Sequence, residues 1–115
     1  MLLVSFDIDG TLATGDPPGP ISLDMVRETK RRGHVIGSAS DRTLAHQRKM
    51  WGSAGIEVDF VSHKHHLQTT RDLYDCTRLI HIGDTFVDEH YAHLAGFEFF
   101  HVDSLPPPGT PGWVY

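Results

Sequence analysis

Cysteine is almost missing from this chain of 115 residues: Cys76 stands alone, so no intramolecular disulfide can form and no cysteine cage can hold a metal. A reducing, intracellular setting is the expectation that follows. Positive charge is also scarce. Ten Lys and Arg stand against fifteen Asp and Glu, a formal net charge of -5, which speaks against broad electrostatic binding to nucleic acid or to an anionic membrane, since both need a net basic face. Long hydrophobic runs are lacking too. Met1 to Phe6 has no basic leader and is too short for a signal peptide or a membrane span. A cytoplasmic protein with no membrane partner, no general nucleic-acid partner and a small natural ligand is therefore expected. With 39% hydrophobic residues, the chain can build one core and has no length for a second.

What is present is an alternation of strand and helix signals. Leu2-Leu3-Val4-Ser5-Phe6 is an apolar run stopped by Asp-x-Asp-Gly, the pattern of a strand buried on both faces. Thr14 to Pro20, dense in proline and glycine, must be a loop. Ser22 can cap a helix with Asp24 in its first turn, Lys30, Arg31 and Arg32 in its last, and Gly33 as its stop. The pattern then predicts a strand over 34–38, a helix over 43–53 closed by Gly55, a short strand over 59–61, a helix over 67–74 and a strand over 79–82. A helix over 86–95 and a strand over 97–102 complete it. Five strands alternating with four helices imply right-handed crossovers and an α/β fold: a three-layer α/β/α sandwich around a mainly parallel, five-stranded, Rossmann-like sheet without a cap domain. The expected domain is 1–103, followed by an extended Pro/Gly-rich tail over 104–115 that contains Pro106-Pro107-Pro108-Gly109.

In open α/β sheets ligands bind beyond the carboxyl ends of the strands, where the strand order reverses. Asp7 and Asp9 follow the first strand there, two residues apart and thus aimed at one pocket. Gly10 permits a sharp turn close to a ligand, and Thr11 offers a hydroxyl and an amide to an anion. The fourth strand ends in Gly83-Asp84, and Asp88 lies one helical turn further on the same column. Acids converging in this way repel one another unless a hard cation sits among them, and Mg2+ is the natural choice.

Asp7-Ile8-Asp9-Gly10-Thr11 and Gly83-Asp84-Thr85-Phe86-Val87-Asp88 together resemble the first and fourth motifs of the haloacid dehalogenase-like (HAD) superfamily. The resemblance extends over nearly the whole chain. Ser40 within Ser38-Ala39-Ser40-Asp41-Arg42 matches the second motif, with Ser38 as the alternative, and Lys64 within Ser62-His63-Lys64-His65-His66 matches the third, since Lys30 and Lys49 fall inside helices. By resemblance, Asp7 is the nucleophile and Asp9 the general acid and base. Gly10, Thr11, Ser40 and Lys64 would hold the phosphoryl oxygens. Asp7, the Asp9 backbone and Asp84 would bind magnesium, with Asp88 behind. Because Asp7 and Asp84 crowd it, the Asp9 carboxyl is expected to sit above the ordinary value of about 3.9.

The implied activity is a magnesium-dependent phosphatase acting through an aspartyl phosphate. Arg42 and the 14–20 loop are candidates for selecting its substrate. The residues 12–39 and 41–63 leave no room for the cap that many relatives insert. Capless members act on large substrates or borrow a neighbouring subunit as a lid. A phosphorylated small molecule, the phosphorylated end of a larger molecule and a homo-oligomer all stay open. A catalytically idle binding or scaffold module and a phosphotransferase are the rival functions. Plainer roles also exist for single residues: Ser40 as a helix cap or turn residue, Lys64 within a solvated run, Asp88 as a first-turn acid. His90 and His93, and Arg27 with Lys30, Arg31 and Arg32, read as solvated faces.

Overall fold

Leu2–Phe6 forms β1, and its side chains divide by parity. Leu2, Val4 and Phe6 join one apolar cluster, whereas Leu3 joins another on the opposite face. A strand covered on both faces behaves in this way because its side chains alternate with period two. The structure, a computed structural model describing residues 1–106, continues with α1 (Leu23–Arg31), β2 (Val35–Ala39), α2 (Leu44–Ala54) and β3 (Phe60–Ser62). It then runs through α3 (Leu67–Arg71), β4 (Arg78–Gly83), α4 (Phe86–Leu94) and β5 (Glu98–His101). Element types and order match the sequence expectation, with displaced ends: β2 begins at Val35 instead of His34, and α3 stops at Arg71 instead of Tyr74.

All strand pairings are parallel, in the order β3-β2-β1-β4-β5. The chain therefore moves outward from β1 to β3, crosses back and moves outward again from β4 to β5. That reversal lies between β1 and β4, where the loops leaving the two strands part to opposite sides and open a crevice.

Helices cover both faces. Val26 of α1 and Trp51 of α2 pack with Val4, Phe6, Ile36, Ile80 and Ile82, and Leu67 of α3 and Ala92 of α4 pack with Leu3, Val35 and Phe60. Each fully buried Leu or Ile contributes about 1.5–3 kcal/mol relative to exposure. Local signals fix the helix ends. Ser22 Oγ accepts from the Met25 amide at 3.2 Å, an N-cap of about 1 kcal/mol, and α2 stops on Gly55 at φ 71°, a conformation that needs glycine. Among the described residues no helix is long and apolar enough to cross a membrane.

One boundary differs from expectation. The chain does not become structureless after Asp103: Val102–Ser104 makes a turn of 3-10 helix, and Leu105 packs against the core shared with α1 and α2. The rest of the expected tail, 107–115, lies outside the described residues.

Candidate active site

The end of β1 delivers Asp7 to the crevice. Its amide donates to Ile82 O at 2.9 Å, continuing the β1–β4 ladder, and its carboxylate shares the parity of Leu3 and Ser5, toward α3 and α4. The chain then turns tightly: Thr11 and Leu12 amides donate to Ile8 O, and the Gly10 amide donates to Pro17 O, which pins the proline-rich loop against the turn. The amides of Gly10 and Thr11 are thus engaged within the loop, and neither residue lines the cavity described below. Thr11 Oγ1 is buried with no hydrogen-bond partner among the described residues.

The end of β4 delivers the second group of acids. Thr85 caps α4 in a capping box with Asp88, whose Oδ2 accepts from the Thr85 hydroxyl at 2.9 Å and amide at 3.2 Å. A Cβ built on Gly83 would lie 2.3 Å from Asp88 Cγ, and one on Gly10 would lie 1.9 Å from Asp84 Oδ2. Both glycines are therefore needed for close approach: they let backbone and carboxylates share a space that any side chain would fill. Gly10 also has φ 76°, which only glycine adopts readily.

Lys64 reaches in from the turn after β3. Its ammonium lies 3.3 Å from Asp7 Oδ2, 3.2 Å from Asp88 Oδ1 and 3.7 Å from Asp41 Oδ2, and its side chain is only 7% exposed. Burial pulls the lysine pKa down, but Asp7, Asp88 and Asp41 more than offset this and hold it above its ordinary value. Asp7 moves the other way. Burial first, then repulsion from Asp88, pushes its carboxyl up to about 8, against the pull of Lys64 and the Ile8 amide. Asp88 is buried as well, which alone would raise it, yet the hydrogen bond and charge of His81, the Lys64 ammonium and the Thr85 hydroxyl hold it below the usual carboxylate range. Burial thus favours the neutral form of Asp7, and the donors around Asp88 favour its ionised form.

His81 was not singled out from the sequence. It sits inside β4, fully buried, with Nδ1 2.9 Å from Ser5 Oγ and Nε2 2.9 Å from Asp88 Oδ1. Because an ionised carboxylate only accepts, Nε2 carries the hydrogen of that bond. A polar residue in the apolar run Leu79-Ile80-His81-Ile82 was the available signal.

The Asp9 carboxylate is held by Arg42 and the loop after β1. Its Oδ2 accepts from Arg42 Nε at 3.2 Å, its Oδ1 from Arg42 Nη2 and from the Asp16 amide at 2.8 Å. The expected upward pKa displacement is therefore corrected: the Arg42 hydrogen bond outweighs burial and holds the Asp9 carboxyl below its ordinary value. Of the two candidate serines, Ser38 is occupied, donating to Gln47 Oε1 at 2.7 Å and accepting from Trp51 Nε1 at 2.9 Å. Ser40 faces the crevice, with its hydroxyl accepting from the Arg42 amide at 3.1 Å. Gln47, also missed, donates to Arg42 O and Ser62 O and so fastens the Ser40 loop to β3. His90 and His93 stand on the exposed face of α4, and Arg27, Arg31 and Arg32 pair with Asp24 and Glu28 on their own helix.

Asp7, Asp9, Pro17, Ser40, Asp41, Lys64, Asp84 and Thr85 line a cavity of about 210 Å³. Four of these are acids, against the single cation Lys64, with Arg42 neutralising Asp9 at the rim. Carboxylate oxygens of Asp7, Asp84 and Asp88 lie within 4.8 Å of one another. Asp88 is fully used by His81, Thr85 and Lys64, whereas among the described residues nothing engages the Asp84 carboxylate. An all-oxygen donor set with an unpartnered carboxylate fits a hard cation such as magnesium. A larger cavity, about 530 Å³, opens along the edge strand β3 and contains none of these acids.

Compared with known proteins, the chain matches no family model, no curated protein and no solved structure.

Proposed function

We propose that the protein is a HAD-like, magnesium-dependent phosphomonoesterase that works through a phosphorylated Asp7. The observation that carries this reading is the buried Lys64 ammonium held between Asp7 and Asp88 at the reversal of the sheet, with the unpartnered Asp84 carboxylate in the same cluster. Asp7 and Asp84 would hold the ion, with the Asp9 backbone alongside and Asp88 behind them. When bound, magnesium supplies the positive charge that lets a phosphate dianion approach a carboxylate.

The chain's own residues supply the remaining steps. Lys64 and Ser40 orient the phosphoryl oxygens and spread their charge. Thr11 and Gly10 shape the turn beneath them. An oxygen of ionised Asp7 attacks phosphorus opposite the ester oxygen, the P–O ester bond breaks, and the Asp9 proton goes to the departing alkoxide. In the second step water attacks the same phosphorus, the Asp9 carboxylate takes the water proton, and inorganic phosphate leaves a free Asp7. Before donating, Asp9 must part from Arg42, and an incoming phosphate offers the guanidinium a competing partner. A cavity of about 210 Å³ holds the phosphoryl group and leaves the alcohol portion outside, so the substrate is a phosphate monoester whose leaving group is contacted little. An uncapped cavity admits water as acceptor, which favours hydrolysis over phosphotransfer.

The Asp9–Arg42 ion pair also favours a second reading, an idle binding module whose general acid is locked. Phosphate release from a panel including para-nitrophenyl phosphate, with and without magnesium, separates the two. The expected results are magnesium-dependent release by the wild type, none by Asp7→Asn, and for Asp9→Asn a burst near one nitrophenol per site with phosphate left on Asp7. A wild-type protein that releases no phosphate across the panel overturns the enzyme reading.

A further inference from the structure

Lys64 is flanked by imidazoles on both sides, and its own role leaves theirs unexplained. His63 precedes a turn of 3-10 helix, Lys64–His66, in which residues three apart eclipse one another; His63 and His66 therefore come to the same side. The Lys64 side chain points inward to Asp7 and Asp88, while His63 is half-buried and His65 and His66 are exposed. The three rings gather into one cluster. His63 and His65 stack with centroids 5.5 Å apart and planes within 6°, His65 and His66 lie at 4.1 Å, and His63 and His66 at 5.7 Å. One nitrogen from each ring lies within 4.8 Å of the other two. Among the described residues, none of these imidazoles makes a hydrogen bond or ion pair.

The geometry points to a second metal site at His63, His65 and His66, separate from the carboxylate cluster and selective for a different class of ion. Imidazole nitrogen suits zinc, nickel or copper(II) and suits magnesium poorly, whereas the all-oxygen crevice accepts hard cations such as magnesium. In a tetrahedral zinc site with bonds of about 2.0–2.1 Å, ligand nitrogens are about 3.3–3.5 Å apart. His65 and His66 are exposed, and rotation about their side-chain bonds would have to close that difference. Three imidazoles leave a fourth position for water. The site rests on ring geometry alone and does not depend on the phosphatase reading. An ion there would also fix the turn from which Lys64 enters the crevice.

The test is calorimetric titration of the untagged chain with zinc and with nickel, in excess magnesium so that the carboxylates are occupied. One equivalent is expected to bind. His65→Ala and His66→Ala should each weaken binding by about tenfold or more, which corresponds to about 1.4 kcal/mol or more. Both histidines are exposed, so melting in chelator should match the wild type and confirm folding. Asp84→Asn and the double variant His90→Ala, His93→Ala should leave the titration unchanged. The inference is overturned by absence of one-equivalent binding, by binding that survives loss of both His65 and His66, or by binding that disappears with Asp84 or with His90 and His93.

Discussion

Arg42 grips the Asp9 carboxylate through both Nε and Nη2, across 33 residues of sequence and at the rim of the crevice. The pair makes Asp9 a stronger acid than an isolated carboxyl.

Arg42→Ala should therefore move the pH profile. In the proposed mechanism Asp9 acts first in its protonated form, and Arg42 lowers its pKa, so the loss of activity on the alkaline side would reflect a depressed value. Removing the guanidinium should shift that limb to higher pH in kcat/KM for a substrate with a poor leaving group. An unchanged alkaline limb would show that the ion pair does not tune Asp9 during turnover.

Asp7 gives the magnesium-free protein a stability that declines with pH. Its folded value of about 8 exceeds the 3.8 of the exposed group, so across that window the folded chain retains a proton the unfolded chain has released. Stability attached to this group is complete below about pH 3.8 and is lost as pH rises through about 8. Asp88, with its lowered value, acts in the opposite sense and only toward lower pH. Melting of Asp7→Asn in chelator should show a flatter dependence from about pH 5 to 8 than the wild type. In the same range, magnesium should release close to one proton from the wild type in a weakly buffered titration.

Gly10→Ala should weaken magnesium binding at the proposed site without removing any of its ligands. The new methyl would occupy the place of Asp84 Oδ2, and a positive φ adds strain of about 1–2 kcal/mol. Magnesium affinity measured by titration should fall by about tenfold or more, and Asp84→Ala should fall at least as far. Wild-type affinity in Gly10→Ala would mean that Asp84 is not held against the turn when the ion binds.

His81→Phe should leave Asp88 without its buried Nε2–H donor. Loss of one partner of a buried acceptor costs about 1–3 kcal/mol, readable in urea unfolding. Ser5→Ala should cost less, because the imidazole keeps its bond to Asp88. Equal losses in the two variants would argue that the effect is packing and not the hydrogen bond.

Lys64→Ala should lower kcat/KM by about a hundredfold or more through lost charge stabilisation of the phosphoryl oxygens. Near wild-type efficiency would place the phosphate-binding cation elsewhere, with Arg42 as the first candidate.

Much of the fold was legible because local chemistry determined it. The β1 run, the Ser22 cap and Gly55 each announce an element edge, and alternating apolar parity requires a covered sheet. The motif acids were legible for a similar reason: Asp7 and Asp84 sit immediately beyond strands that had to end. Side-chain partners were less accessible. Nothing in the spacing of Asp9 and Arg42 says that their loops meet, and the sign of the Asp9 pKa displacement depended on that meeting. Ser38 and Ser40 were separable only once Gln47 and Trp51 were seen to occupy Ser38. The turn at Lys64–His66 escaped because a single 3-10 turn has no periodicity to detect.

Because β1 is the central strand, its two neighbours arrive at very different times during synthesis. β2 follows within a few dozen residues, but β4, whose Arg78 pairs with Leu2, must wait until most of the chain has been made. A nascent chain that has completed only β1, β2 and β3 already carries Asp7, Asp9 and Ser40, yet it lacks Lys64, Asp84 and Asp88. One flank of β1 is open at that stage, and although Arg42 is in place for Asp9, the Lys64 ammonium that faces Asp7 is not. The order of the strands thus leaves β1 paired on one side only until β4 has been made, and the cluster of Lys64, Asp7, Asp84 and Asp88 can assemble only after that.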